Sequence, residues 1–367
     1  MESCAIYGLE TQGRALCSQA GDDEIIRFFV GTLSPRAEGQ IHQLDFSDET
    51  NQITRKIFKL KVGEVWQVQC SPWASNLLGL CYNEIRETSA KMKCGVWKVP
   101  SSDSSEITHQ QQELVLQWKF DDLHESSFNE NCQNIDWHPS KTGRVATIYS
   151  TQYFVWDVEG GAPKLISSSK STSEMYMGKW NPHLDGNQLA TVTTTAVTGV
   201  DMRSMKQSWS IPLAHKFQVR DVDFNPNKQY CLATCGDDCA IRFWDVRNHK
   251  EPLKDIKAHS HWVWRVRYNS FHDQLLLTAG SDFRVLLHCL PTISSEPKGH
   301  SVLSDGEEEV NSPPLEEGIL AKYEEHEDAV YAVEWSTFDP WIFASLSYDG
   351  RVVINRVPKS FKYKILL

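Results

Sequence analysis

The chain has 367 residues, of which 40% are hydrophobic, so it is long and apolar enough to bury a sizeable core. Its net charge of −11 argues against capture of nucleic acid or of an anionic membrane surface, because both need a concentrated positive field. The chain shows no secretory signal and no apolar run near the ~20 residues of a membrane-spanning helix, so we expect a cytoplasmic protein without direct membrane insertion.

The predicted strands follow one repeating unit along the chain. The N-terminal region predicts four strands in order, AIYGL, IIRFFVGTL, QIHQLDF and ITRKIFKL. Looser units follow, whose first strands are EVWQVQCSP from Glu64, NCQNIDWHP from Asn131 and YMGKWNP from Tyr176. The clearest units come last and begin at His215, His259 and His326. Each has a histidine, an apolar strand, a turn and two further strands, as a repeat architecture requires.

The spacing of these units predicts the fold. The last core position of the first strand recurs at Cys70, Trp137, Trp180, Phe224, Tyr268 and Trp335. Most intervals are about 43–44 residues, which is the length of a four-stranded propeller blade. Small twisted sheets bury both faces only when they are stacked radially. The sequence therefore predicts an all-β fold, a single seven-bladed β-propeller that spans residues 1–367.

The fourth strands are predicted at LVLQWKF, PKLI, WSIPL, PLKDI, ILAKY and, at the C-terminus, FKYKI from Phe361. On this assignment each end of the chain supplies a complete blade. We therefore predict that the ring closes without a strand shared between the termini.

Two insertions lengthen the repeat. Residues 101–113 form a polar segment, and residues 292–318 contain SDGEEEVNSPPLEEG, which is acidic, without a base and rich in proline. We expect both to be solvated loops and the second to be disordered. The alternative is an acidic segment that binds a basic partner or carries phosphate at Ser301, Ser304 or Ser312.

No residue pattern predicts catalysis. The ten cysteines lie mostly in apolar β-like runs, where cysteine acts as a small hydrophobic residue. Cys231, Cys235 and Cys239 have metal-like spacing, but they fall on a strand and turn without a further ligand pair. A phosphate-binding glycine loop, a nucleophile elbow and an HExxH motif are all missing. We predict a non-enzymatic scaffold without metal, cofactor or small-molecule substrate.

One unit resembles the WD repeat closely. His215, Thr234, Asp238 and Trp244 match the tetrad that forms one hydrogen-bonded chain in that family. Two later units match in part, through His259, Thr278 and Asp282 with His288 at the tryptophan position, and through His326, Ser345 and Asp349 with Asn355 there. The resemblance implies a structural role for these histidines within their own blades.

The broad opening of the ring is the predicted partner-binding site. In this frame the residues near the start of each first strand face that opening, and they include Gln133 and Met177. Aromatic residues and arginine dominate protein interfaces, because they bury a large area at low entropic cost. We therefore predict that the partner is bound through Trp66, Arg220, Trp262, Trp264 and Tyr331. The alternative is that the tryptophans pack between blades.

Three segments carry a more specific resemblance. GEVWQVQCSP, HKFQVRDVDFNPNKQYCLATCGDDCAIRFWDVR and DPWIFASLSYDGRVVINRVP are similar to the EARP and GARP complex-interacting proteins, and the likeness extends along the whole chain. It implies an adaptor for the endosome-associated recycling and Golgi-associated retrograde tethering complexes. It also implies action at endosomes and the trans-Golgi network, in endosomal recycling, retrograde transport and dense-core vesicle cargo sorting. It supplies no residue-level binding site.

A second function remains open at this point. Trp244, Asp245 and Arg247 resemble the WDxR motif through which substrate receptors dock on a cullin-RING ubiquitin ligase, and residues 200–203 form a degraded copy one blade earlier. The motif is short and belongs to the ordinary blade, so chance matches are frequent.

Overall fold

The predicted seven-bladed β-propeller is confirmed: seven sheets, each built on four antiparallel strands, form the ring. The computed structural model describes residues 4–20, 24–34, 38–86, 89–100, 112–121, 130–140, 142–295 and 316–366.

The chain begins with β1 (Ala5–Gly8), which lies in the seventh blade. From the central channel outward, the first blade consists of β2 (Gln12–Ser18), β3 (Ile26–Leu33), β4 (Gly39–Ser47) and β5 (Gln52–Leu60). The second blade starts with β6 (Val65–Ser71), β7 (Ala74–Arg86) and β8 (Ser89–Lys98). A short strand, β9 (Gln112–Glu113), then joins the outer edge of the first blade, before β10 (Val115–Lys119) completes the second.

The remaining blades have the same inner-to-outer order. Blades three and four contain β11 (Cys132–Trp137), β12 (Arg144–Tyr149), β13 (Gln152–Asp157), β14 (Lys164–Lys170), β15 (Met177–Trp180), β16 (Gln188–Val192), β17 (Val197–Asp201) and β18 (Lys206–Ile211). Blades five and six contain β19 (Val219–Phe224), β20 (Cys231–Gly236), β21 (Ile241–Asp245), β22 (Lys254–Ile256), β23 (Val263–Tyr268), β24 (Leu275–Gly280), β25 (Val285–Cys289) and β26 (Gly318–Tyr323). Blade seven contains β27 (Val330–Trp335), β28 (Ile342–Ser347) and β29 (Arg351–Arg356).

The core lies between neighbouring blades rather than within any one of them. Val219 and Val222 of β19, for example, are fully buried in one cluster with Val192 and Trp209 of the preceding blade. Each such aliphatic side chain contributes roughly 1.5–3 kcal/mol when it is removed from water. Each blade therefore supplies the second half of its neighbour's core, which accounts for the regular spacing in the sequence.

The prediction that the termini share no blade is wrong. Strand β1 pairs antiparallel with β29, and Ala5 lies opposite Ile354 while Tyr7 lies opposite Val352. The innermost strand of the first blade is instead β2, which follows β1 directly and was missed because its sequence, QGRALCS, is short and half polar. Without β1, the outer edge of β29 has no partner strand, and the shared sheet closes the ring with main-chain hydrogen bonds from both ends of the chain.

The predicted C-terminal strand FKYKI is also wrong, because this segment lies in helix α1 (Lys359–Leu366). The amide groups of Phe361 and Lys362 both donate to the carbonyl of Pro358, which starts the helical turn. Phe361 and Ile365 are four residues apart and pack together against the core of blades six and seven, so the apolar period is helical rather than alternating.

Only the edges of the two insertions can be described. Gln112 and Glu113, at the end of the first insertion, form β9, which is parallel to β5. In the second insertion, Glu317 forms an ion pair with Lys254, with 2.6 Å between Oε1 and Nζ. Ser301, Ser304, Ser312 and most of the acidic stretch lie outside the described residues.

Candidate protein-binding surface at the wide mouth

The central channel has two unequal openings. The one we call the wide mouth encloses about 550 Å³ and is lined by residues at the starts of all seven inner strands. The narrow mouth encloses about 340 Å³ and is lined by residues at their other ends. Four of the five predicted partner-binding residues, Trp66, Arg220, Trp264 and Tyr331, line the wide mouth. Trp262 precedes β23 and is 41% exposed beside them.

β-Bulges aim these side chains into the mouth. In β6, β19, β23 and β27 the register shifts across Trp66, Arg220, Trp264 and Tyr331, so each of these residues is the extra residue of its strand. The same shift occurs across Arg14 in β2. A bulged residue is left out of the ladder and its side chain is redirected, which is why bulges occur often beside functional sites. The repeated bulge therefore lines the mouth with large side chains.

The aromatic and arginine side chains form one continuous stack. The ring centroids of Trp264 and Tyr331 are 4.6 Å apart, and those of Trp262 and Trp264 are 6.0 Å apart. The guanidinium carbon of Arg220 lies 4.3 Å from the centroid of Trp264. That of Arg14 lies 4.5 Å from Trp66 and 5.0 Å from Tyr331, so this arginine connects the two rings. These contacts are within the range of cation–π attraction.

Arg14 was not predicted from the sequence. Its strand, β2, was not recognised, so no position in the first blade was assigned to the mouth. Burial, together with the neighbouring charges of Arg265 and Arg220, lowers the pKa of Arg14 to about 10. The mouth thus brings several cationic side chains together in an otherwise acidic protein.

The tetrad residues form the hydrogen-bonded chain that the WD-repeat resemblance implies. His215 is 2.7 Å from Asp238 through Nδ1 and 2.8 Å from Thr234 through Nε2, and the Trp244 indole donates to Thr234 Oγ1 at 3.0 Å. Arg242, which sequence reasoning missed, donates to Asp238 at 2.8 Å. Burial alone would raise the pKa of Asp238, but His215 and Arg242 hold it well below its usual range. This series of hydrogen bonds connects the strands and turns of blade five with one another.

The two partial tetrads differ from the complete one at named positions. In blade six, His288 replaces the tryptophan and lies 2.9 Å from Thr278 Oγ1, while His259 contacts Thr278 and Asp282, each at 2.8 Å. In blade seven, the hydroxyl of Ser347 lies between His326 and Asp349 and bonds to both. His326 is 2.8 Å from Ser347 and 2.7 Å from Ser345. Each histidine is thus engaged in its own blade rather than at a shared site.

A buried charge network lies deeper in the channel. Arg267 of β23 binds Glu334 of the next blade at 2.8 Å and Asp221 of the preceding blade at 2.5 Å. Lys179 lies 3.9 Å from Asp223, and burial raises the pKa of Asp223 to about 6. These pairs connect the inner strands of blades four to seven, and such pairs require mutual neutralisation because isolated buried charges are costly.

The described residues provide no metal site. All ten cysteines are free, and Cys231 and Cys235 are buried in β20 while Cys239 follows in the next turn. In the part of the chain that the structure describes, no group of three or more histidine, cysteine or acidic side chains could hold a metal ion. Over the same residues, no helix is long and apolar enough to cross a membrane.

The WDxR-like residues have mixed accessibility. Trp244 is 3% exposed and engaged in the tetrad, so it cannot be a contact residue. Arg247 is exposed, although its guanidinium is bound to Asp245 at 2.6 Å and lies over the ring of Tyr230. Arg203 makes the same bond to Asp201 one blade earlier. The aspartate and arginine of the motif therefore belong to a local turn that occurs in two successive blades.

Fold and tetrad together define a WD-repeat β-propeller, a class whose common feature is a rigid ring with open faces. The family model described as EIPR1 beta-propeller matches residues 1–288, and the model described as WD domain, G-beta repeat matches residues 318–354. The chain belongs to the EIPR1 beta-propeller family, as the sequence resemblance indicates.

Full-length relatives agree with this assignment. The human EARP and GARP complex-interacting protein 1 is 44% identical over 386 aligned residues, with 99% of this chain and 98% of the relative covered. EARP-interacting protein homologs of Gekko japonicus and Danio rerio are 44% and 46% identical, with 99% of this chain covered in each case. The gecko alignment covers 98% of the relative, as the zebrafish one does. The likeness therefore includes every blade.

Proposed function

We propose that this protein is a non-enzymatic adaptor that binds the EARP and GARP tethering complexes. The observation that carries the proposal is the likeness, over nearly the whole chain, to proteins named for interaction with these complexes. On this proposal it acts in endosomal recycling, in retrograde transport to the trans-Golgi network and in dense-core vesicle cargo sorting. It would be recruited from the cytoplasm to these membranes by its partners.

The proposed contact surface is the wide mouth, through Trp66, Arg220, Trp262, Trp264 and Tyr331. Three features support it. Trp66 and Trp262 are 38% and 41% exposed, although large aromatic residues are usually covered in monomeric proteins. The five side chains contact one another, directly or through Arg14, and so form one patch. Aromatic residues and arginine are also the types that most often dominate binding energy.

The test is affinity capture from cytosol with the wild type and with Trp66→Ala/Trp264→Ala. A matched control is Phe271→Ala/Phe338→Ala, which removes two exposed aromatic rings from turns at the opposite end of the inner strands. We expect the wild type and the control to capture tethering subunits and the mouth variant to lose them while it keeps a cooperative unfolding transition. Equal capture by a folded mouth variant would contradict the proposed surface.

The alternative function, a substrate receptor of a cullin-RING ubiquitin ligase, is supported by the exposure of Arg247. The variant Arg247→Ala distinguishes the two functions. If ligase subunits are captured by the wild type and lost with this variant while tether capture persists, the protein has both functions. If no ligase subunit is captured by the wild type, the alternative is rejected.

A further inference from the structure

Cationic side chains outnumber acidic ones in the lining of the wide mouth. Arg14, Arg220 and Arg265 line it, and in the described part of the chain none of its lining residues is an aspartate or a glutamate. The whole chain, by contrast, has a net charge of −11. A local reversal of this kind favours an anionic ligand, both in encounter and in the bound state.

Two of the three arginines are paired elsewhere. Arg220 binds both oxygens of Asp237, at 2.6 and 2.7 Å, so its charge is compensated outside the mouth lining. Arg265 lies 3.7 Å from Asp221 Oδ1, but Asp221 is also bound to Arg267. Arg267 also binds Glu334, so Asp221 and Glu334 together balance Arg265 and Arg267, and the charge of Arg265 is compensated below the mouth.

Arg14 is the uncompensated cation. Among the residues that the structure describes, no carboxylate lies within ion-pair distance of it and no acceptor bonds its guanidinium. Its guanidinium carbon lies over the rings of Trp66 and Tyr331, so both rings contact the cation while its N–H groups have no acceptor among the described residues. A guanidinium held in this way presents its N–H groups in the fork that matches a carboxylate. The flanking rings also restrict its rotation, so little entropy is lost when it binds.

We propose that Arg14 is the receptor for a glutamate or aspartate carboxylate on an acidic linear peptide of the partner, which enters the wide mouth between Trp66 and Tyr331. This inference rests on the proposed function, because it specifies the chemistry of the partner segment at the same surface. A peptide fits better than a compact anion, because the lining combines the charge with apolar side chains such as Met92 and Met177 and with uncharged amides. An extended chain can use both kinds of contact at once.

The experiment uses the full chain and purified tethering complexes. Binding is measured for the wild type, Arg14→Gln, Arg14→Lys and the control Arg203→Gln, which removes one exposed arginine in the turn after β17, away from the wide mouth. Short synthetic peptides that tile the subunits serve as competitors, and each acidic peptide is paired with a copy in which glutamate and aspartate are replaced by their amides. Thermal unfolding checks that every variant is folded.

The expected result is a loss of affinity of about tenfold or more for Arg14→Gln, which is the size expected when charge-assisted hydrogen bonds to one carboxylate are lost. Arg14→Lys, which keeps the charge without the fork, should lose less, and Arg203→Gln should match the wild type. An acidic peptide should compete with the complex, its amide copy should not, and the competition should weaken with salt.

The failures of the two proposals are distinguishable. If the complexes bind the wild type and lose binding with Trp66→Ala/Trp264→Ala but not with Arg14→Gln, the carboxylate receptor is wrong and the proposed function stands. Equal competition by an acidic peptide and its amide copy overturns the receptor in the same way. If the wild type binds neither complex, the proposed function fails, and the inference fails with it.

Discussion

His288 should make the stability of this protein depend on pH in a way that one substitution removes. The imidazole is 1% exposed and lies 2.9 Å from Thr278, in the position that tryptophan holds in the complete tetrad. Burial, and then the neighbouring His259, lowers the pKa of His288 from 6.5 to about 3. The folded state therefore holds this side chain neutral at a pH where the unfolded chain protonates it.

The sign and size of the effect follow from linkage. Because the folded-state pKa is the lower one, the unfolded chain binds more protons between pH 6.5 and about 3, and stability falls as the pH falls through this window. A pH of about 5 lies some 1.5 units below the pKa of this side chain in the unfolded chain. Protonation of the unfolded chain then lowers the free energy of unfolding by about 2 kcal/mol. This is a large fraction of the 5–15 kcal/mol that is typical of proteins.

The assay is urea unfolding, followed by tryptophan fluorescence, at about pH 7.5 and pH 5. His288→Gln keeps a hydrogen-bonding side chain that does not titrate, so the loss of stability between the two pH values should shrink by about 2 kcal/mol relative to the wild type. Other titrating groups, such as Asp223, cancel in this comparison. His261→Gln is the matched control, because it removes an exposed imidazole. If His288→Gln and the wild type lose equal stability, the buried neutral imidazole is refuted.

Three further predictions concern the framework. A double-mutant cycle of Thr234→Val and Trp244→Phe should give a coupling of about 1 kcal/mol by chemical denaturation, and additivity would contradict the observed hydrogen bond. Gly350→Ala should lower the free energy of unfolding by about 1–3 kcal/mol. The cause is that its φ is 85° and a Cβ would lie 2.3 Å from the carbonyl oxygen of Thr11; an unchanged urea midpoint would show that this turn relaxes freely. Deletion of residues 1–8 should expose the edge of β29 and cause aggregation detectable by size-exclusion chromatography, whereas a stable monomer would show that the ring closes without β1.

The sequence determined the ring and most of its blades. The repeat length, the apolar strands and the His–Thr–Asp–Trp pattern around Trp244 are properties of local segments, so they are readable without coordinates. The positions of Trp66, Arg220, Trp264 and Tyr331 at the mouth could also be predicted, because each lies beside the first buried residue of an inner strand. Because the blades repeat in the sequence, such residues fall at the same end of each inner strand.

Only the tertiary structure decided how the ends meet and how the mouth is charged. Strand β1 resembles the first strand of a blade, and only its pairing with β29, more than three hundred residues away, assigns it to the last one. That shift makes β2 the inner strand and brings Arg14 between Trp66 and Tyr331. The physical reason is that strand pairing and charge compensation depend on distances in space, whereas a repeat pattern records only distances along the chain.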